Sequence, residues 1–125
     1  MVWNDVGVDE LMSVVDCNVY DSARGEEYTL RPTELGLSDR QFEDLLPVAD
    51  LDQTVDHFLA LLGGDGPTGA IESIKLNAAA LAINCEVASD WAEGLQMATD
   101  AMSAGEPVRL IERMRAHGQV TTAKA

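Results

Sequence analysis

Asp9 and Glu10 are the residues whose types and spacing point most directly to chemistry. Adjacent carboxylates on a glycine-bearing loop after a strand are what Mg²⁺ takes when it also holds substrate phosphates. Taken alone, the pair reads as a solvated acidic loop, because 22 acidic residues make such neighbours common by chance. Gly63-Gly64-Asp65-Gly66 offers backbone N–H groups for a phosphate at a helix start. It lacks the lysine and Ser/Thr of a P-loop and follows a helix rather than a strand, so a helix C-cap and linker is the better reading. Ser13, Ser22, Ser73 and Ser103 lie in no nucleophile-elbow context, which leaves no basis for a serine hydrolase. His57 and His117 have no cysteine or carboxylate grouping that suggests zinc, and read as helix-surface residues. Cys17 and Cys85 are far apart, with no CxxC or CxxH spacing, and read as small buried hydrophobes, one in a strand and one in a buried helix, rather than as a disulfide.

The elements that must position these residues follow from hydrophobic spacing. Residues 71–87, IESIKLNAAALAINCEV, predict the central helix. Ile71, Ile74, Ala78, Leu81 and Cys85 recur at steps of three and four, while Leu76, Ala79, Ala80, Ala82 and Ile83 make the opposite side nearly as apolar. A helix apolar almost all round is expected to be covered on several sides. Its one polar interior residue in that block, Asn77, needs its amide partnered if buried. Residues 1–4 read as a strand stub and 5–11 as a loop. Residues 13–19 and 26–30 read as a hairpin around the turn 21–25. A short helix is expected over 38–46, with Ser38 and Gln41 at capping-box spacing and Pro47 as its stop. The next helix is capped by Asp50 or Asp52, carries Val55, Phe58, Leu59 and Leu62 on one stripe, and closes at Gly63-Gly64. After Ser89-Asp90, the stripe Trp91, Leu95, Ala98 and Met102 predicts a helix ending at Gly105. A last one places Val108, Ile111 and Met114 inward, and residues 119–125 read as a frayed tail.

One domain of 125 residues is long enough to bury roughly two-thirds of its unfolded-chain surface. The formal charge of −14, with eight basic residues, repels phosphate backbones and anionic membranes, so neither nucleic acid nor a membrane is an expected partner. Such an acidic, lysine-poor surface suits a salt-rich cytoplasm, where screening relieves self-repulsion. No apolar run reaches the ~18 residues that span a bilayer. The start, MVWNDVGVDE, shows no signal-peptide pattern, which makes the cytoplasm the default expectation.

Four blocks, in order, resemble the anthranilate phosphoribosyltransferases. Residues 74–81 (IKLNAAAL) are similar to that family's V-L-L-N-A-A-A-A-L run. Residues 91–105 (WAEGLQMATDAMSAG) resemble its E-G-[VL]-x-x-A-x-x-A-[IM]-x-[ST]-G segment. Residues 7–11 (GVDEL) resemble its G-x-D-E-[IL] motif, and 27–37 (EYTLRPTELGL) its strand and [TS]-P-E-[DE]-[FL]-G-[LI] stretch.

The resemblance implies an α/β fold of which residues 1–118 are the C-terminal part, mostly helical as it stands: about five helices, a β-hairpin and a strand stub. It implies a transferase of tryptophan biosynthesis that joins anthranilate to the ribose of phosphoribosyl pyrophosphate, with Mg²⁺ on the diphosphate. Asp9 and Glu10 match the family's metal-holding pair, and the metal neutralises the pyrophosphate as it leaves. Asn77 matches a family position read as structural, tying the core helix to an adjoining loop. The family's N-terminal helical domain, its G-T-G-G-D phosphate loop and its K-H-G-[NS]-R and S-S-x-x-G-[ST]-A-D stretches have no counterpart in these 125 residues. Its histidine-glycine after the first strand is here Asn4-Asp5. An exposed sheet edge and an uncovered apolar face are therefore expected. Two functions from different classes follow: a piece of the transferase, inactive alone, or a non-catalytic module that binds a protein partner through that exposed edge and face.

Overall fold

The computed structural model describes residues 1–37, 41–48 and 50–122, with side chains through residue 118. Three short antiparallel strands, β1 (Val2–Trp3), β2 (Cys17–Asp21) and β3 (Glu26–Leu30), form a sheet in the order β1-β2-β3. Two 3₁₀ turns, Pro32–Leu35 and Phe42–Leu45, lead to helices α1 (Leu51–Leu62), α2 (Thr68–Asn84), α3 (Trp91–Ser103) and α4 (Glu106–Thr122). Among the described residues the chain is mostly helical, with four α-helices and two 3₁₀ turns where about five helices are expected, beside the β-hairpin and strand stub.

The hairpin registers Cys17 against Leu30 and Asp21 against Glu26. Its turn is closed by the Gly25 N–H on the Asp21 carbonyl at 2.8 Å, with Gly25 at φ +68°. The Asp21 side chain accepts from the N–H groups of Ala23 (2.9 Å) and Arg24 (3.3 Å), the local bonding that makes aspartate a turn former. Cys17, Val19 and Leu30 point inward and meet Leu11 and Leu76 in the core, with Trp91, Leu95 and Ala80 packed around them.

Asp50, rather than Asp52, caps α1 by accepting from the Gln53 N–H at 2.8 Å. Asp90 caps α3 through the Glu93 N–H at 2.9 Å, and the Glu93 carboxylate reaches back to the Ser89 N–H at 2.8 Å and Oγ at 2.7 Å. Those two bonds hold the Glu93 carboxyl below its usual range. Helix α2 has no cap of its own: Pro67 precedes it, and Asp44 supplies the acceptor for the Gly69 N–H at 2.9 Å. A Cβ at Gly69 would lie 2.9 Å from two Asp44 atoms, so only glycine admits that cap.

Several expectations need correction. Helix α2 runs Thr68–Asn84, three residues earlier than its apolar pattern at both ends. Its buried face is Gly69, Ala70, Ser73, Leu76 and Ala79, whereas Leu81 is 64% exposed and Ala78 is exposed. Small residues won this contact because α3 comes so near: a Cβ at Gly94 would lie 2.9 Å from the Ala79 Cβ and 3.0 Å from its Cα. Cys85 falls on the C-cap and is exposed, so only Cys17 is a buried hydrophobe; both thiols are free. Strand β2 begins at Cys17 rather than at residue 13, because Ser13 turns away to bond with α2. The helix expected over 38–46 is the 3₁₀ turn Phe42–Leu45, with Gln41 extended before it; Ser38 lies outside the described residues. Met114 is 61% exposed rather than inward, and α4 continues through Gly118 to Thr122.

Candidate functional site

The loop from β1 to the core carries Asp9 and Glu10. Gly7, at φ +78°, donates its N–H to the Asn4 carbonyl at 3.2 Å and turns the chain back. Leu11, 2% exposed, then anchors the far end of the loop in the core. Between these fixed points both acidic residues face solvent side by side. Among the described residues, no hydrogen bond or ion pair engages either carboxylate.

A polar seam joins this loop to α2. Asn77 donates from Nδ2 to the Leu11 carbonyl at 2.7 Å and to the Ser73 carbonyl at 2.8 Å, while its Oδ1 accepts the Leu11 N–H at 3.3 Å. One turn earlier, Ser73 Oγ accepts the Ser13 N–H at 2.9 Å and donates to the Gly69 carbonyl at 2.7 Å. The Ser13 hydroxyl reaches the same carbonyl at 2.8 Å. Ser13 and Ser73 are thus buried partners of the backbone, positioned for structure and not for nucleophilic attack.

Beside the loop lies an open groove of about 720 Å³, floored by Leu11, Met12, Ala70 and Ile74 and walled by Phe42, Leu45, Leu46 and Leu61. Glu10, Asp44, His57, Ser73 and Asn77 supply its polar lining. His57, which reads from sequence as an ordinary helix-surface residue, is placed at this groove and half-buried. The Gly63-Gly64-Asp65-Gly66 stretch closes α1 as a C-cap and linker. The α2 N-terminus beyond it already has its Gly69 N–H committed to Asp44, which leaves the phosphate-cradle reading without support.

As a donor set, Asp9 and Glu10 are two hard oxygen ligands. No group of three or more His, Cys, Asp or Glu able to hold a metal occurs among the described residues. Mg²⁺ keeps several waters and is bound through one or two carboxylates together with substrate phosphates, so this pair fits a shared shell and not a protein cage. Sequence reasoning left out Asn4 and Asp44. Asn4 is 7% exposed and hydrogen-bonds within the acidic loop. Its sequence signals are an amide placed between a strand and a glycine turn and its standing, with Asp5, where the resembled family has a histidine-glycine.

Residues 1–108 match the family described as glycosyl transferase family, a/b domain. The anthranilate phosphoribosyltransferase of Chromobacterium violaceum is 33% identical over 110 residues, covering 86% of this chain and 32% of that protein. That of Bacillus licheniformis is 30% identical over 111 residues, covering 87% of this chain and 32% of that one. The crystal structure of anthranilate phosphoribosyltransferase from Thermus thermophilus superposes with a TM-score of 0.79 at 26% identity, covering 90% of this chain and 33% of that chain. The Saccharomyces cerevisiae enzyme in complex with PRPP and Mg shares the fold, with a TM-score of 0.71 at 23% identity. The chain spans about a third of the length of the curated relatives it matches.

Proposed function

The chain belongs to the glycosyl transferase family, a/b domain, and from that premise we propose that it supplies the C-terminal part of a Mg²⁺-dependent anthranilate phosphoribosyltransferase of tryptophan biosynthesis. In this reading Asp9 and Glu10 hold the metal on the diphosphate of phosphoribosyl pyrophosphate, and anthranilate is the acceptor. The observation that carries it is the loop itself: Asn4 and Asn77 hold its backbone, both carboxylates are exposed with no partner among the described residues, and Glu10 lines the groove.

When bound, the metal supplies charge neutralisation for the departing diphosphate. Asp9 and Glu10 would supply two of the anionic groups that hold it. Asn77 keeps the Leu11 peptide in place, so that the carboxylates project from a fixed backbone. The remaining ligands and both substrate-binding stretches have no counterpart among these 125 residues, so the chain alone is expected to form no phosphoribosyl anthranilate. Anthranilate fluorescence that decays with this chain, phosphoribosyl pyrophosphate and Mg²⁺ alone would overturn that division of labour.

The metal role is tested by grafting. Residues 1–108 replace the matching third of the Bacillus licheniformis relative, and the active chimera is compared with its Asp9→Asn/Glu10→Gln variant. Turnover falls by roughly two to three orders of magnitude if the pair holds the metal. Unchanged turnover in a folded double variant removes the assignment.

A second reading, a non-catalytic partner-binding module, is supported by the apolar surface. Leu51, Val55 and Phe58 on α1 and Phe42 and Leu46 before it are 43–78% exposed. Strand β3 also pairs on one side only among the described residues. A chain that is monomeric and inert in the graft, yet buries these residues in a stable complex with a separate protein, would favour the module.

A further inference from the structure

The acidic loop is held by two asparagines, and neither uses the carboxylates to do so. Asn4 Oδ1 accepts the Val8 N–H at 3.1 Å, and Asn4 Nδ2 donates to the Glu10 carbonyl at 3.4 Å. One amide side chain therefore spans Asp9, gripping the backbone on either side of it. From the opposite end Asn77 pairs with both backbone polar groups of Leu11, donating to its carbonyl at 2.7 Å and accepting its N–H at 3.3 Å. Asn4 is 7% exposed, and its Nδ2 also lies 3.8 Å from the Met12 sulfur, so water has little access to compete for these bonds.

The chemistry of the amide explains the choice. Holding an N–H and a carbonyl at once needs an acceptor and a donor on one short side chain, which asparagine has and aspartate lacks. A loop in which aspartate itself closed the turn would consume the anionic oxygens that a cation needs. Here the neutral amides carry the backbone and the charges stay outside. Such a backbone is ordered before any ligand arrives, so binding does not have to fix it.

We propose that Asn4 and Asn77 are positioning residues, a two-sided amide clamp that presets Asp9 and Glu10 for a divalent cation shared with a phosphorylated substrate. The proposal rests on the transferase reading of the acidic pair. It goes further in assigning a role to Asn4 and in requiring that the loop be rigid without metal.

The test uses the ¹⁵N-labelled 125-residue chain and Mn²⁺ as a paramagnetic probe that favours oxygen ligands. Without metal, the Val8 and Leu11 amides should exchange at least about tenfold more slowly than an unstructured chain. Added Mn²⁺ should broaden Asp9 and Glu10 before other residues. Asn4→Ala should abolish the Val8 protection and raise the half-broadening Mn²⁺ concentration about fivefold or more, with β2 and β3 amides still protected. Asn4→Asp keeps the acceptor for Val8 and removes the donor to Glu10, so it should retain Val8 protection. Unprotected Val8 and Leu11 in the wild type overturn the clamp whether or not either variant folds. An unchanged midpoint in folded Asn4→Ala overturns it while the acidic pair keeps its metal. Absence of selective broadening in the wild type, whether Mn²⁺ is added alone or with inorganic pyrophosphate, overturns the metal assignment and the clamp with it.

Discussion

Helices α1 and α2 are both rich in leucine and alanine, yet one is the centre of the molecule and the other buries no residue. Leu76 and Ala79 of α2 have no exposed surface, whereas Leu51 and Phe58 of α1 are 78% and 50% exposed. Hydrophobicity does not separate them. What separates them is what comes near: α2 meets the sheet through Leu76 and α3 through Ala79 and Gly94, while α1 lies at the rim against α2 and α4. The contrast shows that an apolar stripe states a demand for cover, and close backbone approach decides whether it is met.

The largest effect expected from this contrast is in a pair of truncations. Leu76→Ala removes a fully buried side chain at the junction of sheet and helix, and should cost about 2–5 kcal/mol of unfolding free energy. Phe58→Ala removes a larger side chain that is half in water, and should cost less than about 1 kcal/mol. Urea denaturation followed by circular dichroism measures both. Equal costs would mean that α1 is covered in solution by something these contacts do not include.

Glycine sharpens the same comparison. A methyl at Gly94 would meet the Ala79 backbone at 3.0–3.1 Å, which cannot step aside as a side-chain tip can. Gly94→Ala should therefore destabilise by about 1–3 kcal/mol even though alanine is the better helix former by roughly 1 kcal/mol. At Gly118 on the outlying part of α4 nothing lies within 4 Å of the added carbon. There Gly118→Ala should show the propensity gain alone, up to about 1 kcal/mol, as a higher thermal midpoint. Two changes of the same kind should move stability in opposite directions.

These contacts also explain what could be read from sequence. The hairpin was legible because Asp21 and Gly25 make a local turn between two extended runs, although β3 is exposed from Glu26 to Thr29 and buries only Leu30. Helix α3 was legible for a similar reason, since Asp90, Glu93 and the Trp91-Leu95-Ala98-Met102 stripe lie within it. Helix α2 was legible as central, but not in orientation: apolar residues all round give no preferred face, and the choice was made by α3 and by the Ser13 and Leu11 backbone. The 38–46 segment misled because capping-box spacing is a local signal. Asp44 is committed elsewhere, to the start of α2. At the acidic loop the residue types were legible and the clamp was not, since Asn4 acts through bonds to Val8 and Glu10 that only the folded turn creates.

The smallest expected effect compares two exposed carboxylates whose acidity is raised by different means. Glu93 is held below the usual range first by the Ser89 N–H and then by its hydroxyl; burial and the Asp90 charge oppose this. Glu106 is lowered by the hydrogen bond from Arg109, 2.6 Å away, and by that guanidinium's charge. In both, the folded state gives up its proton more readily than the unfolded chain does. Each contribution is therefore fully present above the ordinary glutamate value of 4.5 and is lost as pH falls through the lowered folded value. Replacing Glu93 with Gln should make the fall of the thermal midpoint below about pH 5 slightly shallower, and Glu106→Gln should do the same. Salt separates them. Molar NaCl screens the exposed Arg109 pair and should erase the Glu106 difference, while the Ser89 bonds, which involve no opposite charge, should keep theirs. If salt erased both, Glu93 would be acting through long-range charge, and the cap of α3 would owe nothing to its reach back to Ser89.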